Sequence, residues 1–171
     1  QIVIFDHPAR RNALSDNMWA ELAAACIELD DDPGVRVVVL RGAGDQAFIS
    51  GADISQFSKA ADDGPDEMVA PQGGNAFVEL ANVRKPVIGM IHGFCIGGGV
   101  AVSLGADLRY AAEDATFGIP AARLGVGYAM GGIETPADVV GLCHWRLYQS
   151  DAADDNHRVH PMCTRVVHKQ A

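Results

Sequence analysis

Lys85-Pro86-Val87-Ile88-Gly89-Met90-Ile91-His92-Gly93-Phe94-Cys95-Ile96-Gly97-Gly98-Gly99 is the stretch from which the fold is read. Val87 to Ile91 is a short apolar run introduced by a proline, the pattern of a buried strand. The glycine triplet follows, and Val100 to Ala106 after it reads as a helix. Small residues at the junction between extended chain and helix leave backbone N–H groups open at the helix N-terminus. There the aligned peptide dipoles add partial positive charge.

A second junction of this kind lies upstream, at Ile49-Ser50-Gly51-Ala52-Asp53-Ile54. Two N–H groups from such junctions, converging on one point, would form an oxyanion hole. Taken singly, each glycine group also fits a tight turn with close helix packing. Around these segments the chain alternates between strand and helix. Gln1 to Phe5 reads as a strand, and Asp6-His7-Pro8 ends it. Met18, Leu22, Cys26 and Leu29 form the apolar stripe of a helix with Ser15 as N-cap, stopped at Asp30-Asp31-Asp32-Pro33-Gly34. Val35 to Arg41 is a further strand, Ala76 to Val83 a helix, Leu108 to Ala112 a strand and Met130 to Val140 a helix. Residues 58 to 75, rich in Asp, Gly and Pro, have the composition of a mobile surface segment. The order implies a layered α/β domain. The acidic triplet lacks the spacing of a calcium loop and reads as a solvated turn. Gly42-Ala43-Gly44-Asp45-Gln46-Ala47 fits a dinucleotide-binding pattern, but Phe48 to Gly51 after it reads as extended chain, where that motif needs a helix.

The chain has 171 residues, with 13 Lys+Arg against 22 Asp+Glu, for a formal charge of −9. A domain of this length buries roughly 70% of its unfolded surface and holds a core without metal or disulfide staples. An apolar fraction of 49% argues against disorder. The acidity, with Lys59, Lys85 and Lys169 the only lysines, offers no footprint for nucleic acid or an anionic membrane. Cys26, Cys95, Cys143 and Cys163 contain no C-x-x-C pair, which suits a reducing cytosol, and the expected location is cytoplasmic. No apolar run approaches a membrane span, and the start at Gln1, inside a strand, reads as trimmed.

Ala47 to Ile54 and Lys85 to Gly99 together resemble the two signature segments of the crotonase, or enoyl-CoA hydratase/isomerase, family. Arg11-Asn12-Ala13-Leu14, Ala106-Asp107-Leu108-Arg109 and Gly131-Gly132 sit where that family has similar residues, so the resemblance runs from about residue 2 to residue 141. It implies a crotonase-like α/β spiral of ββα units that binds an acyl-CoA thioester, with coenzyme A as part of the substrate and no other cofactor or metal. It further implies a homotrimer or hexamer. By residue match, the N–H groups of Ala52 and Gly98 would hold the thioester oxygen and stabilise an enolate-like anion, with Gly51, Asp53, Ile54, Gly97 and Gly99 around the substrate.

The chain departs from the hydratase pattern at two points. The family's hydratases have a glutamate two residues after the glycine triplet and another just after a proline about twenty residues later. Here these positions are Ala101 and Ala121. Alanine can neither activate water nor supply a proton. Leu124-Gly125-Val126-Gly127-Tyr128 is similar to a loop of methylmalonyl-CoA decarboxylases, and Tyr128 is a candidate proton donor or carboxylate-orienting group. Decarboxylation needs an enolate hole and a proton but no water-activating base. Two other readings stay open. One is a non-catalytic acyl-CoA binder. The other is a serine hydrolase built on Ser103, His92 and Asp107, for which Ala101-Val102-Ser103-Leu104-Gly105 lacks the first glycine of a nucleophile elbow.

Residues 1–141 thus read as an acyl-CoA-binding core and 142–171 as an atypical tail. The tail holds four of the six histidines and two of the four cysteines, with no sustained periodicity. His157, His160 and Cys163 fall short of a complete zinc frame. A shifted reading frame after Gly141 would explain the change and would replace the family's C-terminal helices.

Overall fold

A computed structural model describes residues 1–53, 55 and 74–120. The elements, in order, are β1 (Ile2–Phe5), a 3-10 turn (Pro8–Arg10), α1 (Asp16–Asp31), β2 (Val38–Gly42), β3 (Ala47–Ile49), α2 (Gly74–Asn82), β4 (Val87–Ile91), β5 (Phe94–Ile96), α3 (Gly98–Gly105), β6 (Leu108–Ala111) and β7 (Thr116–Gly118).

The strands sort into two parallel sheets, β1-β2-β4-β6 and β3-β5-β7. Each pass of the chain contributes one strand to each sheet, β2 then β3, β4 then β5, β6 then β7, and α2 and α3 complete the first two passes. This repetition is the ββα spiral that the family resemblance implies. The second sheet is the part that hydrophobic pattern did not show. Its members are three residues long, too short for alternation to stand out. Neighbouring strands supply what is missing: Phe94 pairs with Ala47 and with Thr116, and Ile96 with Gly118.

In the larger sheet, Val39 pairs with Ile88 and Ile88 with Leu108. The face carrying Phe5, Val38, Leu40, Val87 and Ile91 is buried in a core shared with the three helices. Phe48 meets Phe5 edge-on at 5.8 Å between ring centroids, which joins β3 to that core. In α1 the buried residues are Trp19, Leu22, Ala23 and Cys26. The expected stripe began at Met18, which is only partly buried; the inward face is set one residue later, by the 19, 22, 23, 26 spacing.

The ends of α1 follow simple electrostatics. Ser15 Oγ accepts from Met18 N–H at 3.3 Å, the expected N-cap. At the C-terminus, Lys85 Nζ donates to the carbonyls of Leu29, at 2.6 Å, and Asp32, placing a cation at the negative end of the helix. Arg84 takes Asp30 at 2.7 Å and Asp31 at 3.6 Å. Asp30 and Asp31 are thus the last residues of α1, with Asp32 its C-cap, rather than a separate turn, and they tie the helix end to the 84–85 segment. Val35 to Val37 lie in the approach to β2, which begins at Val38, so that strand starts later than the apolar run.

Gly42 to Ala47 is the turn from β2 to β3, and no helix opens there. The dinucleotide pattern has no structural counterpart. Among the described residues no helix is long and apolar enough to cross a membrane, and no group of three or more His, Cys, Asp or Glu side chains is placed to hold a metal ion. The expected surface segment before α2, the 130–140 helix and the 142–171 tail, with its frame-shift and zinc readings, lie outside the described residues.

Candidate active site

The two glycine junctions come together. Leu14 N–H donates to Gly51 O and Asp53 N–H donates to Leu14 O, both at 2.8 Å, so Ala52 forms a parallel bridge with Leu14. In extended chain, successive peptide groups point to opposite sides. The bonds of Gly51 and Asp53 to Leu14 thus leave Ala52 N–H on the other side. On that side, a Cβ placed on Gly97 would lie 3.9 Å from Gly51 Cα, and one on Gly98 would lie 3.8 Å from Ala52 N.

Gly51 and Gly97 have φ of +113° and +52°, values that side chains rarely tolerate. They turn the two segments so that backbone meets backbone. Gly97 N–H is spent on Gly118 O at 2.8 Å. Gly98 is the first residue of α3, so its N–H has no carbonyl four residues back within the helix. Ala52 and Gly98 are both half-buried. Ala52 N and Gly98 are therefore close neighbours, and Gly98 N–H lies at a helix N-terminus.

Asn12 holds this frame. It is 1% exposed with φ +56°. Its Oδ1 accepts from His7 N–H at 3.0 Å, and its Nδ2 donates to Ala43 O at 2.9 Å and Ala47 O at 2.8 Å. Ser50 N–H donates to Arg11 O at 3.1 Å. The Arg11-Asn12-Ala13-Leu14 segment thus works as a clamp that fixes the strand carrying Ala52. Asp53 closes the other side. Its Oδ1 accepts from Ser55 Oγ at 2.7 Å, Ser55 N–H at 3.1 Å and Arg10 Nη1 at 3.3 Å. The Ser55 donors, with Arg10 and His7 adding, hold its carboxyl below the ordinary value. Its carboxylate is thus engaged in fixing the turn.

Gly99, fully inside the fold, backs onto Ile49 O. Ala101 lies in the first turn of α3, with its N–H on Gly97 O at 3.2 Å. Ile54, Ala121 and Tyr128 lie outside the described residues.

The hydrolase alternative fails on geometry. Ser103 is 1% exposed within α3, and its hydroxyl donates back to Val100 O at 2.7 Å. Asp107 Oδ2 is taken by Val87 N–H at 2.8 Å, and His92 Nε2 has no partner. These three groups form no relay. Asp107 instead ties the turn after α3 to Val87 of β4, and Arg109 Nη1 donates to Ala106 O at 2.5 Å at the C-terminal end of α3. Below the site, burial pushes the Cys95 thiol up to about 12, so it is no nucleophile at neutral pH.

Sequence reading passed over Trp19, whose ring stands against Gly98. A Cβ on Gly98 would lie 3.2 Å from Trp19 Cζ2. The signal was present in the 19, 22, 23, 26 spacing of α1.

Comparison with known proteins agrees with the architecture. Residues 1–144 match the family model for enoyl-CoA hydratase/isomerase. A short-chain-enoyl-CoA hydratase of Clostridium acetobutylicum is 33% identical over 141 residues, covering 82% of this chain and 54% of that protein. A carnitinyl-CoA dehydratase of Escherichia coli is 35% identical over 133 residues, covering 77% of this chain and 49% of the relative. The crystal structure of an enoyl-CoA hydratase/carnithine racemase from Magnetospirillum magneticum superposes with a TM-score of 0.76 at 31% identity, covering 88% of this chain and 57% of that one. The chain spans about half the length of the curated relatives it matches. With its two parallel sheets wound as ββα passes and its matching residues in unbroken order, the chain belongs to the enoyl-CoA hydratase/isomerase, or crotonase, family and has the crotonase fold.

Proposed function

We propose that this chain binds an acyl-CoA thioester and stabilises an enolate-like anion, with the N–H groups of Ala52 and Gly98 donating to the thioester oxygen. The observation that carries the reading is the approach of Ala52 N to Gly98 at the start of α3. Charge that develops on the oxygen meets two donors already in position, and loss of one such donor costs about 2.7–4 kcal/mol of transition-state stabilisation. Gly51, Gly97 and Gly99 give the backbone its shape, and Asp53 secures the turn beside the hole. Ile54 remains a candidate substrate contact. Coenzyme A enters as part of the substrate, and local helix N-termini hold it against the −9 formal charge of the chain.

Ala101 favours chemistry that needs no water-activating carboxylate. In decarboxylation, the bond from the α-carbon to the carboxylate breaks, its electron pair enters the enolate, carbon dioxide leaves and a proton is delivered to the α-carbon. Tyr128 is the candidate for orienting the carboxylate or delivering that proton. Hydration by the glutamate route would lack both of its acid-base groups at Ala101 and Ala121.

The test is a panel of enoyl-, malonyl- and methylmalonyl-CoA followed by mass spectrometry, with Gly98→Pro as control. Proline suits the first residue of a helix but carries no N–H. Turnover of a malonyl- or methylmalonyl-CoA that Gly98→Pro abolishes is the expected result. Binding without turnover by any substrate would leave an acyl-CoA-binding protein, and no binding would end the proposal. Light scattering checks the homotrimer or hexamer that family resemblance implies.

A further inference from the structure

Gly98 opens α3 without a side chain of its own, and its cap, Gly97, makes no side-chain hydrogen bond to the helix. Its position beside Ala52 is fixed by neighbours on two sides. Gly99 backs onto Ile49, where a Cβ would lie 2.3 Å from the carbonyl oxygen, so the first turn of α3 has no room to move toward β3. On the side of Gly98 where a side chain would stand, the nearest atoms to the Cβ position are Trp19 Cζ2 at 3.2 Å, Trp19 Cη2 at 3.4 Å and Ala52 N at 3.8 Å. The second stop is therefore an aromatic edge, on the same side of Gly98 as Ala52 N.

Trp19 belongs to α1 and is 5% exposed. Phe77 of α2 meets its ring edge-on, at 5.1 Å between centroids and 63°. Cζ2 and Cη2 lie in the six-membered ring, at the far end of the side chain, so the contact with Gly98 uses the full length of the indole. A ring packed between α2 and the start of α3 at interior density gives way by tenths of an ångström only.

We infer that Trp19 is a positioning residue of the site: its ring, backed by Phe77, holds Gly98 so that its N–H meets the thioester oxygen together with that of Ala52. The inference rests on the acyl-CoA reading above. Donors of an oxyanion hole act at about 2.7–3.1 Å from the oxygen, and a misplacement of about 1 Å can cost roughly a hundredfold in rate. Shortening the side chain at position 19 opens space on that scale beside Gly98.

The experiment reads the thioester carbonyl itself. Hydrogen bonds to its oxygen polarise the C=O bond and lower its stretching frequency, so infrared difference spectra of bound butyryl-CoA, carbon-13-labelled at C1, report on the donors whether or not turnover occurs. With the full native chain the band should fall below its position in free butyryl-CoA. Trp19→Phe keeps an aromatic ring in the core but ends short of Gly98, and it should lose roughly half of that downshift, the share of one donor in two. The chain with 2-naphthylalanine in place of Trp19, a ring of the indole's length without its N–H, should recover it. The band is read on bound ligand, so weaker binding or lower stability alone leaves it in place.

A downshift unchanged in Trp19→Phe overturns the inference, as does a 2-naphthylalanine chain that fails to recover it. If Trp19→Phe does not fold, Phe77→Leu decides: it leaves the indole whole but removes its backing, so part of the downshift should go, and a full downshift there overturns the inference. A native band that stays at the free-ligand position despite binding ends the oxyanion-hole reading of Ala52 and Gly98 instead. Failure of the native chain to bind butyryl-CoA ends the acyl-CoA reading and this one with it.

Discussion

Replacing Gly99 with alanine should unfold the chain far more readily than the same replacement at Gly98, although both glycines occupy the first turn of α3. An alanine in place of glycine in a helix gains about 1 kcal/mol in propensity, and neither residue has a positive φ that would oppose it. The two sites differ in what the new methyl meets. At Gly99 it would lie 2.3 Å from Ile49 O and 2.9 Å from Ile49 Cβ, where ordinary contact begins at 3.4 Å. The helix must therefore move by 3.4 − 2.3 = 1.1 Å against backbone that has no rotamer to change. Overpacking of this kind costs about 1–3 kcal/mol, and a backbone-against-backbone clash belongs at the top of that range. The net loss at Gly99 is about 2 kcal/mol. At Gly98 the methyl would lie 3.2 Å from the edge of the Trp19 ring, which yields by the few tenths of an ångström required. There the propensity gain and the packing cost nearly cancel. Urea unfolding of both variants, with m compared so that only the midpoint reports stability, reads the difference directly. A Gly99→Ala midpoint equal to or above that of Gly98→Ala would show that α3 is not seated on β3 by this close approach, and the placement of Gly98 beside Ala52 would lose its mechanical basis.

Three further outcomes follow from named contacts. Asn12→Leu leaves the carbonyls of Ala43 and Ala47 and the N–H of His7 without their partners and puts a leucine at φ +56°; denaturant unfolding should register a loss of about 3–5 kcal/mol, together with weaker acyl-CoA binding. Cys95 and Cys26, whose thiols burial raises to about 12 and about 11, should remain unmodified by iodoacetamide at pH 8 while the chain is folded and react once it is unfolded, as peptide mapping would read. Asp53 titrates below its unfolded value, so its contribution to stability is complete above the unfolded carboxyl value of about 3.9 and is lost as pH falls through the lower folded value; Asp53→Asn should remove that acid-limb dependence from the stability profile and leave its slope near neutrality unchanged.

How far the molecule could be read in advance depended on the range of the forces involved. The larger sheet and α1 were legible because Val87 to Ile91 and the Ser15 cap act over a few residues. The short strands β5 and β7 were not, since three-residue segments are held as strands by neighbours such as Cys95 opposite Phe117. Ser103 shows the same limit from the other side. Its surroundings approach a nucleophile motif, yet a bond to Val100 O and burial in α3 exclude it from chemistry.

By itself, the sequence determined that glycine would stand at each junction before Ala52 and Gly98 and that a helix would follow the glycine triplet. These are properties of local chain and residue type, and they carry the family resemblance unaided. Only the tertiary structure decided that the junctions meet, because Ala52 reaches Gly98 through the Leu14 bridge, the Asn12 clamp and the seating of Gly99 on Ile49, contacts between residues far apart in the chain. It alone also set the indole of Trp19 beside them. Packing of α1 brings an aromatic ring against Gly98 that no signature segment contains.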